Sequence, residues 1–482
     1  MKKFSLQLKA SVMYTIAGLI TKGLNLITLP IFTRLLSVEQ MGIITNFTSW
    51  QSIFLTITTL SLGTGAFNVA MVEFSDERDK YITSMIYLSV IATFFCFIVF
   101  ICFNKKITEL LQIDFTLIIF MFVGFFLAPP IDYWLGKCRY EYKYISMFVI
   151  TISLAIGSTL CSIFGVIIAG KLGYRNLAEI KIFLTGIPSC LCGLILMIVE
   201  LSKGGFAVKF KCIKFALKIN LPITIHSLAK HILDVSDRTM ITRLIGNKAA
   251  GIYGTLYSIS SMALILWNAI NASLIPYVFD KIKSNHTENL KKVLFSVMLL
   301  FSIISIGITV IAPEIVKVLA TEPYYQNINL IPPIASGIYL TALYTIFANF
   351  LLYYKQSLWI MLSTCIAAIL NIILNSYFIP KFGIVAASYT TLISYIVLTI
   401  ILLLVLKCKK ELPFHIKTFV VMSIFTIVTT ICVGYLYRFP ILRYLFIAAL
   451  LFALIIFRKK VYALYKTVVA DKTKNNKEKN EG

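Results

Sequence analysis

Four basic residues of this 482-residue chain fall inside stretches that are otherwise apolar: Lys22, Lys181, Lys230 and Arg238. An ionisable group at the centre of a bilayer-spanning helix costs about 2.5–3.5 kcal/mol on insertion scales, so it marks a transport path or a buried pair. Lys22 lies in the apolar stretch 11–33. At about 100° per residue, Ser11, Thr15, Gly18, Lys22 and Asn25 fall on one helical face, and mostly apolar residues, chiefly Ile and Leu with Val and Met, occupy the rest. In the stretch 219–243, His226, Lys230, Asp234 and Asp237 follow one another at i, i+4, i+8 and i+11, an arc of about 80°. His231 and Arg238 lie off that stripe.

Cations held near mid-membrane suit an anionic cargo, and a phosphate is the obvious candidate. Lys22 and Lys230, with Arg34, Arg238 and Asn25, are the residues expected to hold it. Asp234 and Asp237 with His226 are the candidates for ion coupling, because a carboxylate beside a lysine changes its occupancy as a cavity opens. Plain ion pairing is the competing reading for the carboxylates, Lys230 with Asp234 one turn on, and Asp237 with Arg238 or Arg34. Lys22 resists that reading. In the first six stretches Asp114 and Asp132 lie near span ends, and Glu73 and Glu200 at the inner rim.

Helices must carry these charges through lipid. Hydrophobic residues make up 59% of the chain, charged ones only 14%, and the mean hydropathy is +0.87. A soluble surface needs roughly 25% charged residues. About fourteen spans follow from the roughly 20-residue length of a crossing helix. They are expected near 11–33, 42–66, 81–103, 112–135, 145–169, 178–200, 219–243, 251–276, 292–312, 328–352, 358–379, 384–406, 415–437 and 441–457. The net charge of +24 is mostly topological: 30 lysines and arginines fall in one set of alternate loops and 11 in the other. That asymmetry predicts a multi-pass protein with both termini cytoplasmic. No soluble part is large enough to read nucleic acid. The ten cysteines lack CxxC spacing, so no metal site is expected, and no nucleotide-binding or nucleophile motif calls for a cofactor or an enzyme.

The chain also repeats. Thr33-Arg34-Leu35-Leu36, followed by Gly42-Ile43, recurs as Thr242-Arg243-Leu244-Ile245 followed by Gly251-Ile252 at the same spacing. Lys171-Leu172-Gly173 is echoed more weakly by Lys381-Phe382-Gly383. Six spans separate the copies, an even number, so the repeats run parallel about an axis along the membrane normal. The expected organisation is an all-α polytopic protein with a six-helix bundle at 1–205 and a basic cytoplasmic linker at 206–218. A second six-helix bundle follows at 219–410, then two additional helices at 411–460 and a basic cytoplasmic tail at 461–482.

The segment Leu221-Pro222-Ile223-Thr224-Ile225-His226-Ser227-Leu228, continuing through Asp237-Arg238-Thr239-Met240-Ile241 to Gly251-Ile252-Tyr253, resembles the Wzx-type O-antigen or capsule polysaccharide flippases of the MATE-like MOP exporter superfamily. So do Pro30-Ile31-Phe32-Thr33-Arg34-Leu35-Leu36 with Gly42, and Asn371 to Asn375 with Ile379-Pro380-Lys381-Phe382-Gly383. The resemblance implies two bundles around a cationic cavity in a bacterial cytoplasmic (inner) membrane. It also implies alternating access, an undecaprenyl-diphosphate-linked oligosaccharide as cargo, H+ or Na+ as coupling ion, and membrane lipids and glycan assembly proteins as partners. Lys22, Lys230 and Asp237-Arg238 are the positions that match. A multidrug or cation antiporter of the same superfamily is the alternative, and a membrane glycan polymerase a more distant one.

Overall fold

The computed structural model describes residues 6–284, 287–408, 416–450 and 452, and every regular element among them is helical. The expected tail at 461–482 lies outside the described residues. Ten helical stretches are long and apolar enough to cross a membrane by length and composition. In lipid every backbone polar group must be satisfied within its own segment, which leaves the helix as the available form. Proline gives way to that demand. Pro30, Pro129, Pro130, Pro188, Pro222, Pro276 and Pro313 all sit inside continuous helices, and Pro380 lies just before the kink in the helix that follows Gln356.

The helices are α1 (Leu6–Leu35), α2 (Val38–Thr59), α3 (Ala66–Glu73), α4 (Arg78–Cys102), α5 (Asn104–Leu111), α6 (Phe115–Tyr140), α7 (Tyr144–Lys171) and α8 (Leu177–Gly204). They continue as α9 (Phe210–Leu244), α10 (Asn247–Ser260), α11 (Met262–Lys283), α12 (Thr287–Leu319), α13 (Glu322–Tyr325), α14 (Ile331–Tyr353), α15 (Ser357–Cys408), α16 (Ile416–Tyr435) and α17 (Pro440–Leu450). Within α15 the chain breaks at Gly383, whose φ of 66° belongs to the left-handed region that glycine enters without a steric penalty. The break separates the two spans expected at 358–379 and 384–406.

Two compact units emerge. The first comprises Met1–Thr255, Val318–Tyr324 and Met361–Thr390, and the second Leu256–Lys317, Tyr325–Ile360 and Thr391–Gly482. In the first unit one aromatic and aliphatic core gathers Phe47, Phe100, Leu117, Met121, Phe122 and Phe125. A second core gathers Phe67, Tyr81, Met85 and Tyr133 against Cys212 and Ala216 of α9.

Within that unit the sequence echo becomes a physical contact. A Cβ added at Gly42 would overlap the Asn247 carbonyl, and one at Gly251 would overlap the Val38 carbonyl. A Cβ at Gly254 would strike the side chain of Thr45. Each of these positions pairs with its counterpart 209 residues along the chain: Val38 with Asn247, Gly42 with Gly251, Thr45 with Gly254. The contact is therefore reciprocal, as a two-fold axis between α2 and α10 requires. Only glycine lets two backbones approach so closely.

The second unit holds the last described helices, with Arg443 inside the expected span at 441–457. Arg443 is only 4% exposed and pairs with Glu314 of α12, which also accepts a 2.8 Å bond from the Tyr444 hydroxyl. The Tyr437 hydroxyl donates to the Thr309 carbonyl at 2.6 Å, and hydroxyl pairs Ser302–Thr426 and Ser336–Thr430 tie α16 to α12 and α14 at 2.6 Å each. Such polar contacts substitute for the hydrophobic drive that lipid does not supply between helices. Arg443→Gln is expected to leave Glu314 poorly matched and to cost about 2 kcal/mol, read as a lowered midpoint in thermal unfolding of the purified protein. An unchanged midpoint would remove the ion pair from the account of this unit.

Candidate functional site

α1 offers three faces. Ala17 and Thr28 are buried on the side that packs chiefly along α7, and Ile16, Leu19, Ile20 and Ile27 form an open apolar face. Between them lies an open polar face of Thr15, Gly18, Lys22 and Asn25, all exposed. The side chain of Ser11 is not among those described. An apolar open face belongs in lipid, whereas a polar one demands water or a ligand. Lys22 forms no ion pair or hydrogen bond with any described residue.

Arg34 lies elsewhere. It sits twelve residues beyond Lys22, about 18 Å along the helix, and its guanidinium donates to the carbonyls of Pro30 at 2.8 Å and Val318 at 3.0 Å. Thr33 donates to the neighbouring Leu319 carbonyl at 2.9 Å. Both satisfy carbonyls left open at the end of α12.

On α9 the charges are paired. The Lys230 ammonium meets Asp234 at 2.7 Å, one turn on, and both side chains remain partly exposed. Asp237 is fully buried. Its Oδ1 accepts the Arg238 backbone N–H at 2.7 Å, its Oδ2 accepts the buried Tyr253 hydroxyl at 2.6 Å, and the Arg238 Nε lies 4.0 Å away. The structure thus joins Lys230 to Asp234 and Asp237 to Arg238. It leaves Lys22, Asn25, Arg34 and His226 outside those pairs. The Nδ1 of His226 is buried and without a hydrogen-bond partner among the described residues.

Beside Asp237 runs a buried polar chain that links α9 to α15. Ser236 donates to the Asn371 Oδ1 at 2.7 Å, the Asn375 amide donates to the same oxygen at 2.9 Å, and the Thr390 hydroxyl donates to the Asn375 Oδ1. The i, i+4 asparagines are visible in the sequence, but their partners 135 and 15 residues away are not.

α6 extends past the expected end of its span, to Tyr140, and this changes the setting of its charged residues. Asp132 therefore lies about 12 Å inside the helix end. It is exposed on the same face as Arg139, whose guanidinium sits 6.0 Å from the centre of the Tyr14 ring on α1. Lys137, expected in a loop, is 6% exposed and held between Asp79 of α4 and the fully buried Glu200 of α8, the latter at 3.3 Å. That triad fastens α4, α6 and α8 at one end. Lys181 sits 4.2 Å over the Phe32 ring, a cation held by an aromatic face. No cluster of three metal-ligating side chains occurs among the described residues.

The apolar helices and their buried charges define a multi-pass membrane protein whose fold is like that of MATE-type transporters. The chain resembles the solved structure titled "Lipid II flippase MurJ, inward closed conformation", with a TM-score of 0.67 and 18% identity over 93% of this chain and 100% of that one. An inward-facing multidrug resistance MATE family transporter of the MOP superfamily matches at a TM-score of 0.61 and 14% identity, covering 83% of this chain and 98% of its own. A MOP superfamily transporter from Pyrococcus furiosus, described as having a binding pocket of reverse polarity, matches at a TM-score of 0.53 and 14% identity, covering 84% of this chain and 96% of its own. No curated protein matches the sequence. Residues 8–282 match the family described as Polysaccharide biosynthesis protein, and the chain belongs to that family. The resemblance read from the segments around Pro30 and Leu221, which lie within the matched residues, is borne out at the level of this family.

Proposed function

We propose that the chain exports a polyprenyl-diphosphate-linked oligosaccharide from the inner to the outer leaflet of the bacterial cytoplasmic membrane by alternating access. The observation that carries this reading is Lys22, a cation on the open polar face of α1 with no carboxylate partner among the described residues. Lys230 supplies a second partly exposed ammonium, with Asn25, Arg34 and Arg238 as flanking donors along the route. The diphosphate binds these cations while the polyprenyl tail stays in lipid. The two six-helix bundles and cytoplasmic termini read from the sequence belong to the same proposal, with O-antigen or capsule glycan as the cargo class. Membership of the polysaccharide biosynthesis family supports the cargo, since a lipid-linked glycan is the anionic substrate such a pathway must move.

Asp237, with Asp234 and His226 on the same stripe, carries the coupling ion in this reading. Asp237→Asn keeps the shape of the side chain and most of its hydrogen bonds but removes the charge. It is expected to leave transport down a cargo gradient intact while abolishing acceleration by an imposed proton or sodium gradient.

Proteoliposomes containing a labelled lipid-linked oligosaccharide test the whole proposal. Gradient-stimulated appearance of the label on the opposite leaflet supports it. Extrusion of a cationic dye with no movement of the glycan lipid would instead establish the drug antiporter. That alternative is disfavoured because Asp132, the exposed carboxylate of α6, shares its face with Arg139. Elongation of the glycan by purified protein would establish the polymerase.

A further inference from the structure

The lysine-rich stretch expected to be a linker is largely helical, and its lysines are not equivalent. Residues 210–218 form the first turns of α9, a helix of 35 residues. At 1.5 Å per residue it extends about 52 Å, against about 30 Å of hydrocarbon, so its first turns project beyond the apolar layer. Cys212, Ala216 and Asn220 face inward, and Asn220 locks this segment to the turn between α2 and α3. Its Oδ1 accepts the Ala66 N–H at 2.9 Å and its Nδ2 donates to the Ser61 carbonyl at 3.2 Å.

The outward face is divided lengthwise. Phe210, Ile213, Leu217 and Leu221 lie within an arc of about 80°, and Lys214 and Lys218 lie directly beside them. With Pro222 they line an open groove of about 670 Å³. Phe210 is 76% exposed and Phe206, just before the helix, 80%. Other lysines nearby are engaged, Lys209 with Glu77 and Lys211 over the Phe74 ring at 5.9 Å. Lys214 and Lys218 form no ion pair with a described residue.

We propose that this groove binds an anionic phospholipid of the adjoining leaflet, with its phosphate between Lys214 and Lys218 and an acyl chain along the apolar strip. The division of apolar and basic residues is that of a helix lying at a charged lipid surface. Charge selects the occupant. The chain's own C-terminal tail carries eight basic residues from Arg458 onward against three acidic ones, so the lysines repel it. The site is independent of the export reading, since any anionic leaflet lipid fills it.

Native mass spectrometry of the full-length protein, with phosphatidylglycerol and phosphatidylcholine as probes, tests the proposal. Wild type is expected to retain phosphatidylglycerol preferentially, and Lys214→Gln with Lys218→Gln to weaken that retention about 30-fold. The Lys214→Arg and Lys218→Arg pair should restore it, and Lys203→Gln should leave it unchanged. Millimolar inorganic phosphate should not displace the lipid. Equal retention by the glutamine pair, or full displacement by phosphate, would overturn the site. Unchanged glycan transport in the glutamine pair, alongside lost lipid retention, would separate this site from the export path.

Discussion

Replacing Lys22 and Lys230 together by glutamine is expected to abolish surface glycan while the protein still accumulates in the membrane. Glutamine keeps the reach and hydrogen-bonding capacity of the side chain and removes only its charge. A hydrogen bond to a charged group contributes about 1.5–3 kcal/mol. Loss of two such contacts to a diphosphate therefore lowers affinity by a factor of about 100 or more. The single variants differ for a structural reason. Lys22→Gln removes a cation that neutralises nothing in the described protein, so its effect reports cargo alone. Lys230→Gln also takes from Asp234 the ammonium at 2.7 Å and leaves this partly exposed negative charge less compensated near the cargo path. Adding Asp234→Asn to Lys230→Gln should recover the part of the loss that comes from repulsion. Arginine at both positions should retain most export. Normal glycan in the double glutamine variant, at normal protein level, would defeat the cationic-site reading.

What the sequence revealed about this site follows the range of the interactions involved. Lys230 and Asp234 are one helical turn apart, so their pairing is legible from spacing alone. The polar stripe of α1 is legible for the same reason, because a helix converts a period of 3.6 residues into a face. Lys137 was not legible. Its partners Asp79 and Glu200 lie 58 and 63 residues away, and a lysine near a span end reads as a loop charge until packing shows otherwise. Arg34 was only partly legible by the same logic: it reads as a free cation at a span end, yet besides the Pro30 carbonyl of its own helix it reaches the Val318 carbonyl of α12, 284 residues on. Hydropathy placed the spans, but it could not show that α6 continues to Tyr140 or that α9 begins at Phe210. Charged residues there do not stop a helix when its backbone is satisfied and one face is packed, as Cys212 and Ala216 are.

The second large effect is expected at the glycines of the repeat. Gly42→Ala and Gly251→Ala should each prevent α2 and α10 from reaching the separation seen here, since even one Cβ overlaps a backbone carbonyl of the facing helix. Carbonyls cannot swing aside as a side chain can, so the helices must part by an ångström or more. Packed helix contacts have discrete arrangements rather than a continuous range. The population should therefore shift to a state with this contact open, and a shift of about 2 kcal/mol changes the ratio of states about 30-fold. Spin labels at exposed Glu39 and Lys248, in a background without the native cysteines, should report a longer distance in both variants. If the transporter must close this contact once per cycle, glycan export should fall with it. The decisive feature is equality. Gly42 and Gly251 lie 209 residues apart yet make reciprocal contacts, so a two-fold axis between the helices predicts matching effects from both. A strong effect at one position and none at the other would mean that one carbonyl can yield, and the echo in sequence would then have no mechanical counterpart. Unchanged distances in both variants would show that the contact does not control the conformation.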